Sequence, residues 1–445
     1  MLAYKISPSS ISGNVCIPPS KSHTLRAIFW ASVSHGTSII DNALESPDSA
    51  VMIQACKQLG AKIHKRSSSL EITGTSNLRL PENTVINAGS SGIVFRFFTA
   101  IAAIFSEKIT ITGSSQLQRR PIAPLIKALE NFGATFSYQG DLYTIPFSVS
   151  GPISSGYTEV LGDDSQYASA LAMACSLAEG PFSFTIINPK ERPWFKLTLW
   201  WLEQLAIPYA QSEDTYSFLG KARPKAFSYT VGGDFSSAAF LVAAALLSQS
   251  PHPTYLKNLN IDDVQGDKKL FFLLQKLGAN IIFENNTVIV FPSTLSGGDI
   301  DMDPFIDALP ILAVICCFAT SPSHLYNARG AKDKESDRII AITQELQKMG
   351  ACIQPCHDGL LINPSPLYGA SMQSHNDHRI AMALSIAAMY ASGDSIISDT
   401  ECIKKTFPNF IQILNSLHTN IQEYYEPIFL RTTNSGQDLA GSSLC

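Results

Sequence analysis

The residues best able to do chemistry in this chain are cations beside short polar segments. Lys21 and Arg26 follow Ser20, with Ser22 between them. Arg96 follows Ser90-Ser91-Gly92, and Arg119-Arg120 precede Pro121. Lys334, Glu335 and Arg338 share KESDR, Arg379 lies in NDHR, and Lys405 precedes Thr406-Phe407-Pro408. Guanidinium groups grip carboxylates and phosphates through paired N–H donors. A lone charge usually marks a solvated face. Cations at the same place in successive segments point instead to bound anions. Each residue alone still has a plain reading: Asp307 could cap a helix, and Glu335 could pair with Arg338 at i,i+3.

The elements that must position these groups repeat. LGAKIHKRSSSLEITG from Leu59 is echoed from Phe132, Leu205, Leu277, Met349 and Leu417, at spacings between 73 and 68 residues. Each copy reads as a helix end, a cap, a strand, a polar turn and a second strand. Two helical patterns precede each hairpin. One is apolar all round, as in 93–105, 167–178, 237–247, 308–319 and 380–391, and such a helix must be buried. The other is amphipathic, as in 50–59, 122–132, 196–205, 268–277, 339–349 and 409–417. The expected fold is therefore α/β. It has six repeated helix-strand-helix-hairpin units, three around buried helices in each of two globular domains. The buried helices open on Ser20, Ser91, Asp164, Asp234, Asp307 and Asp377 or their neighbours. Facing globules would aim several helix N-termini, with their free N–H groups, into one cleft suited to anions.

The bulk properties narrow the function classes. A net charge of −5 argues against a nucleic-acid partner held by bulk charge. No apolar run reaches the roughly 18 residues of a membrane span, and the start MLAYKISPSS lacks a signal-like apolar core. Nine scattered cysteines without a CxxC pair suggest free thiols in a reducing cytoplasm, with neither a disulfide framework nor a metal site.

PPSKSHTLRA, LQRRPIAPLIKAL, GDFSSAAF, KESDRI, NDHRIAMALSIAA and KKTFPNF stand in the order found in the 5-enolpyruvylshikimate-3-phosphate synthases. The chain resembles this enolpyruvyl transferase family over about residues 5–418. The resemblance implies transfer of the enolpyruvyl group of phosphoenolpyruvate to the 5-hydroxyl of shikimate 3-phosphate, in a cytoplasmic enzyme of aromatic amino acid synthesis. No cofactor is implied, and a monomer is expected. It also implies two chain crossings, so that residues 1–19 and 233–430 form one domain and 20–232 the other. Residues 431–445 read as a flexible tail. Lys21, Ser22, Arg26, Ser165, Gln166, Asp307 and Lys334 match shikimate 3-phosphate ligands. Lys21, Gly92, Arg120, Gln166, Arg338, Arg379 and Lys405 match the phosphoenolpyruvate clamp. Lys21, Asp307 and Glu335 match the catalytic groups. His378 reads as a core or capping residue, and Arg119 as a solvated neighbour of Arg120. Two other functions stay in view: enolpyruvyl transfer to UDP-N-acetylglucosamine, and an RNA 3′-phosphate cyclase-like protein. The first typically needs a Cys absent from SSQLQRRP; the second needs a nucleotidylation His motif not seen here.

Several positions depart from the family pattern. Asp164 replaces the first of two Ser. Glu191-Arg192-Pro193-Trp194 replaces a segment usually ending in Tyr, with Arg192 as a candidate substitute ligand. Ile93 replaces a Thr. A β-branched Ile beside Gly92 should press that turn toward the pocket, so a bulky analogue such as glyphosate should bind less well.

Overall fold

The computed structural model describes residues 1–75 and 78–425; the expected tail lies outside them. Six four-stranded sheets are present among the described residues, each with two parallel neighbours followed by two strands that are each antiparallel to the one before. In five the last two strands form a hairpin; in the sixth Asn420–Tyr425 pairs instead with Leu2–Ser7, and the second strand expected after it lies outside the described residues. In one, Val85–Asn87 runs parallel to Ile109–Thr112, which pairs antiparallel with Phe147–Ser150 and through it with Thr135–Tyr138. The sequence period near 72 residues is thus a structural repeat. Alternation within strands sets each sheet on its helices. In Ser69–Thr73, Leu70 and Ile72 point inward while their neighbours are less buried.

Six helices carry the cores: Lys21–Val33, Gly92–Ala102, Ser165–Leu177, Phe235–Leu247, Leu309–Cys317 and His378–Met389. Small residues let them approach closely. Gly92–Ala102 packs on Ser165–Leu177, and the last three pack on one another. The amphipathic helices, such as Pro47–Gln58 and Arg338–Lys348, cover these bundles. The buried apolar residues fall into two clusters. One spans Leu25 to Val231, and the other joins Leu2–Ile17 to Phe235–Ile421.

The chain passes between the clusters twice, at adjacent points. Pro19 and Gly233 form an antiparallel bridge, and the Ser20 N–H donates to the Gly232 carbonyl at 2.8 Å. Gly233 is needed here because a Cβ would lie 2.2 Å from the Asn258 carbonyl oxygen. Beside this crossing, His23 Nε2 lies 3.1 Å from Asp263 Oδ1.

Five of the six buried helices begin with a side-chain cap. Ser20, Ser91, Asp164, Asp234 and Asp377 each accept a first-turn N–H, a contact worth about 1 kcal/mol. The sixth, Leu309–Cys317, is entered through the 3-10 segment Asp303–Ala308 and has no side-chain cap. That leaves Asp307 free for another use, and the capping reading of Asp307 fails.

Candidate active site

Apart from Arg192, the residues singled out from the sequence as ligands or catalysts line one cleft between the two clusters. Lys21, Ser22, Arg26, Gly92, Arg120, Ser165 and Gln166 come from one side; Asp307, Lys334, Glu335, Arg338, Arg379 and Lys405 come from the other. The helix N-termini deliver them. Lys21, Gly92 and Ser165 are first residues of buried helices, and Arg379 is a second residue.

The two sides are wired differently. Arg26 is 3% exposed, yet its guanidinium donates only to Thr198 Oγ1, at 3.0 and 2.8 Å, and to the Ser22 carbonyl at 3.2 Å. Burial without a carboxylate partner pulls it below its ordinary pKa. Lys21 Nζ lies 3.9 Å from Asp48 Oδ2. Burial lowers the Lys21 pKa; Asp48 opposes this. Arg120 is buried, whereas Arg119 is exposed. Its nearest carboxylate is Glu335, at 3.6 Å from across the cleft, and its Nε has no partner among the described residues.

The opposite side is a closed ion network. Arg338 Nε donates to Asp377 at 2.8 Å, NH1 to Asp307 at 2.7 Å and NH2 to Glu335 at 2.9 Å. The other Asp307 oxygen accepts from Arg379 at 2.9 Å. Lys405 Nζ donates to Glu335 at 2.8 Å and to the Ser90 carbonyl at 3.0 Å. Burial would raise the Glu335 carboxyl, but Lys405, Arg120 and Arg338 outweigh it and hold it well below the usual range. Asp307 is likewise held far down: burial raises it, while Arg379, Arg338 and Lys334 lower it more. Glu335, Asp377 and His378 bring their ligand atoms within 4.8 Å, but Arg338 bridges the two carboxylates. His378 is buried, with neither ring nitrogen hydrogen-bonded among the described residues. Burial keeps its pKa well below the ordinary value, with Glu335 opposing and nearby cations reinforcing.

Three departures from the expected pattern resolve. Asp164 caps its helix through the Gln166 N–H at 2.9 Å and pairs with buried Arg96 at 3.1 Å. Its charge is therefore spent within the protein. Arg192 does not substitute as a ligand: it faces outward and pairs twice with Asp214, at 2.5 and 2.9 Å. Its neighbour Glu191 turns inward instead. Glu191 sits in the left-handed region (φ 50°, ψ 33°) and is 4% exposed. Its carboxylate accepts from Lys334 at 2.5 Å and from the Ser165 hydroxyl at 3.2 Å. Of the pair, Glu191 lines the cleft and Arg192 does not. The third departure, Ile93, lines the cleft beside Gly92. A Cβ on Gly92 would lie 2.9 Å from Arg96 NH1 and 3.4 Å from Arg120 NH2, so the turn has no spare room.

Comparison with known proteins gives consistent results. Residues 6–414 match the family described as EPSP synthase (3-phosphoshikimate 1-carboxyvinyltransferase). A Chlamydia caviae protein named 3-phosphoshikimate 1-carboxyvinyltransferase is 85% identical, covering 100% of both chains. One of the same name from Chlamydia trachomatis serovar L2 is 52% identical, over 97% of this chain and 98% of its own. A solved EPSP synthase from Acinetobacter baumannii superposes with a TM-score of 0.81 at 25% identity, covering 96% of this chain and 100% of the other. The enolpyruvyl transferase NikO from Streptomyces tendae shares the fold, with a TM-score of 0.77 at 14% identity over 96% of this chain and 99% of its own.

Proposed function

We propose roles for the residues of the cleft from one premise: the chain belongs to the EPSP synthase family. Its reaction is enolpyruvyl transfer from phosphoenolpyruvate to shikimate 3-phosphate, with release of phosphate. The observation that carries the assignment of roles is the convergence of Lys21, Arg120, Arg338, Arg379 and Lys405 around Glu335 in one buried cleft.

The two substrates together bring roughly five negative charges, from two phosphate monoesters and two carboxylates. Ser22, Arg26, Ser165, Gln166 and Lys334 hold shikimate 3-phosphate. Arg120, Arg338, Arg379 and Lys405 hold phosphoenolpyruvate over the Gly92 turn. Lys21 reaches both. The 5-hydroxyl attacks C2 and loses a proton to Asp307, while C3 gains one from Glu335 or Lys21, giving a tetrahedral ketal phosphate. Loss of a C3 proton then expels phosphate.

Paired with these cations, Asp307 and Glu335 are held too acidic for this work. Their cations are the same groups that grip phosphoenolpyruvate. As the substrate anion shares Arg338, Arg379 and Lys405, each carboxylate loses part of its stabilisation and its pKa rises. The acid–base pair thus becomes competent only around bound substrate.

The two hydrophobic clusters are read as lobes, 20–232 and 1–19 with 233–430, that close on substrate. Both halves of the cleft come from one chain, which supports action as a monomer. The described cysteines are all unpaired, which supports a reducing cytoplasm, and no described helix is long and apolar enough to cross a membrane. The test is phosphate release from phosphoenolpyruvate with shikimate 3-phosphate, compared with UDP-N-acetylglucosamine. Release with the second acceptor alone would refute the assignment.

A further inference from the structure

Two groups assigned above to shikimate 3-phosphate are held by the protein itself. The Ser165 hydroxyl and the Lys334 ammonium both donate to the Glu191 carboxylate. Lys334 and Glu191 are each almost fully buried. Three features fix this carboxylate in place. The left-handed backbone at residue 191 turns its side chain inward while Arg192 goes outward. The Glu191 N–H donates to Asp303 at 3.1 Å, anchoring that backbone to the opposite lobe. Gly330 leaves the room: a Cβ there would stand 3.4 Å from Glu191 Oε1.

We infer that Glu191 tunes substrate affinity: its carboxylate competes with the substrate's phosphate for Lys334 and Ser165, and releases both when shikimate 3-phosphate enters. The inference rests on the reading that Ser165 and Lys334 are ligands of that substrate.

The charges around Glu191 determine what happens to it. Lys334 faces it from the segment before Arg338–Lys348, with Arg96 farther behind Asp164. Asp164 faces it from the start of Ser165–Leu177, and Asp303 and Asp307 from the 3-10 segment. Burial already raises its pKa, Asp164 and Asp307 add to this, and Lys334 alone opposes them strongly. Once Lys334 turns to an incoming phosphate, an ionised Glu191 would lie among two carboxylates and a phosphate. It therefore takes a proton from solvent and becomes a hydrogen-bond donor.

The test is calorimetric titration of the full-length protein with shikimate 3-phosphate, in two buffers of different ionisation enthalpy. Glu191→Gln keeps the shape and one acceptor oxygen for Lys334, turns the other position into an amide donor that the Ser165 hydroxyl can accept from, and removes the charge. Its dissociation constant should fall by about threefold to tenfold, because no ion pair has to be broken. Its proton uptake on binding should be lower by about one. Glu191→Ser should shift both the same way and serves if the glutamine variant does not fold. Equal or weaker binding by the neutral variants, or an unchanged proton count, overturns the inference. Glu191 would then only position Lys334. A wild-type protein that binds no shikimate 3-phosphate refutes the functional reading, and this inference with it.

Discussion

The two walls of the cleft carry similar cations in opposite states. On one wall Arg26 and Arg120 are buried and Lys21 is half-buried, all with neutral or distant partners. On the other, Arg338, Arg379 and Lys405 are locked to Asp307, Glu335 and Asp377. A buried cation without a counterion is costly to fold around, so the first wall is already prepared for an external anion. The second wall is neutral at rest and stable, and it binds by exchanging partners. The first wall therefore supplies affinity, and the second couples binding to proton transfer.

The contrast can be broken by mutation. The largest effect is expected from Glu335→Gln, which should lower kcat by about a hundredfold or more with substrate affinity nearly kept; near-normal turnover would remove Glu335 from the chemistry. Arg338→Met should lower the unfolding free energy by about 3–5 kcal/mol in urea titrations, since it strands the buried Asp377 carboxylate and takes one cation from Asp307 and Glu335. Arg26→Met should change stability by less than about 1.5 kcal/mol, because it strands no carboxylate. It should nevertheless weaken shikimate 3-phosphate binding by about a hundredfold, the net worth of a charge-assisted contact. Equal stability losses at residues 26 and 338 would erase the distinction between the walls.

Acid should unpick the paired wall. Asp307 and Glu335 are held below their unfolded values. Their stabilisation is complete above the ordinary carboxylate pKa of about 4 and is lost as pH falls through it toward the folded values. Thermal melting should therefore begin to fall below about pH 6.5, where the unfolded state protonates His378 and the folded one does not, and drop more steeply below about pH 5 as the two carboxylates lose their contribution. The smallest effect concerns Ile93→Thr, which should strengthen glyphosate inhibition a few-fold by relaxing the Gly92 turn; an unchanged inhibition curve would clear Ile93.

Much of this was legible in the residues, for a physical reason. A repeat of about 72 residues fixes where each hairpin and buried helix falls, and caps at equivalent positions fix which ends face the cleft. Some buried helices end earlier than the apolar runs suggest: Gly92–Ala102 stops before Phe105, whereas Phe235–Leu247 ends where its run does. What stayed hidden were pairings between distant segments. Arg96 with Asp164, and Asp307 with two arginines, exist only once successive repeats pack within a lobe. Arg192 faces outward and Glu191 inward at a left-handed residue, and no pattern of residue types announces that.

The N-terminal strands carry one more consequence. Leu2–Ser7 lies between Ser395–Ser398 and Asn420–Tyr425, and Gly13–Cys16 pairs with Thr254–Lys257. The three sheets built from residues 37–230 need no strand from outside that span. During synthesis, the inserted half can therefore mature while the first nineteen residues wait beside the ribosome for partners made hundreds of residues later, so the enclosing half is completed last.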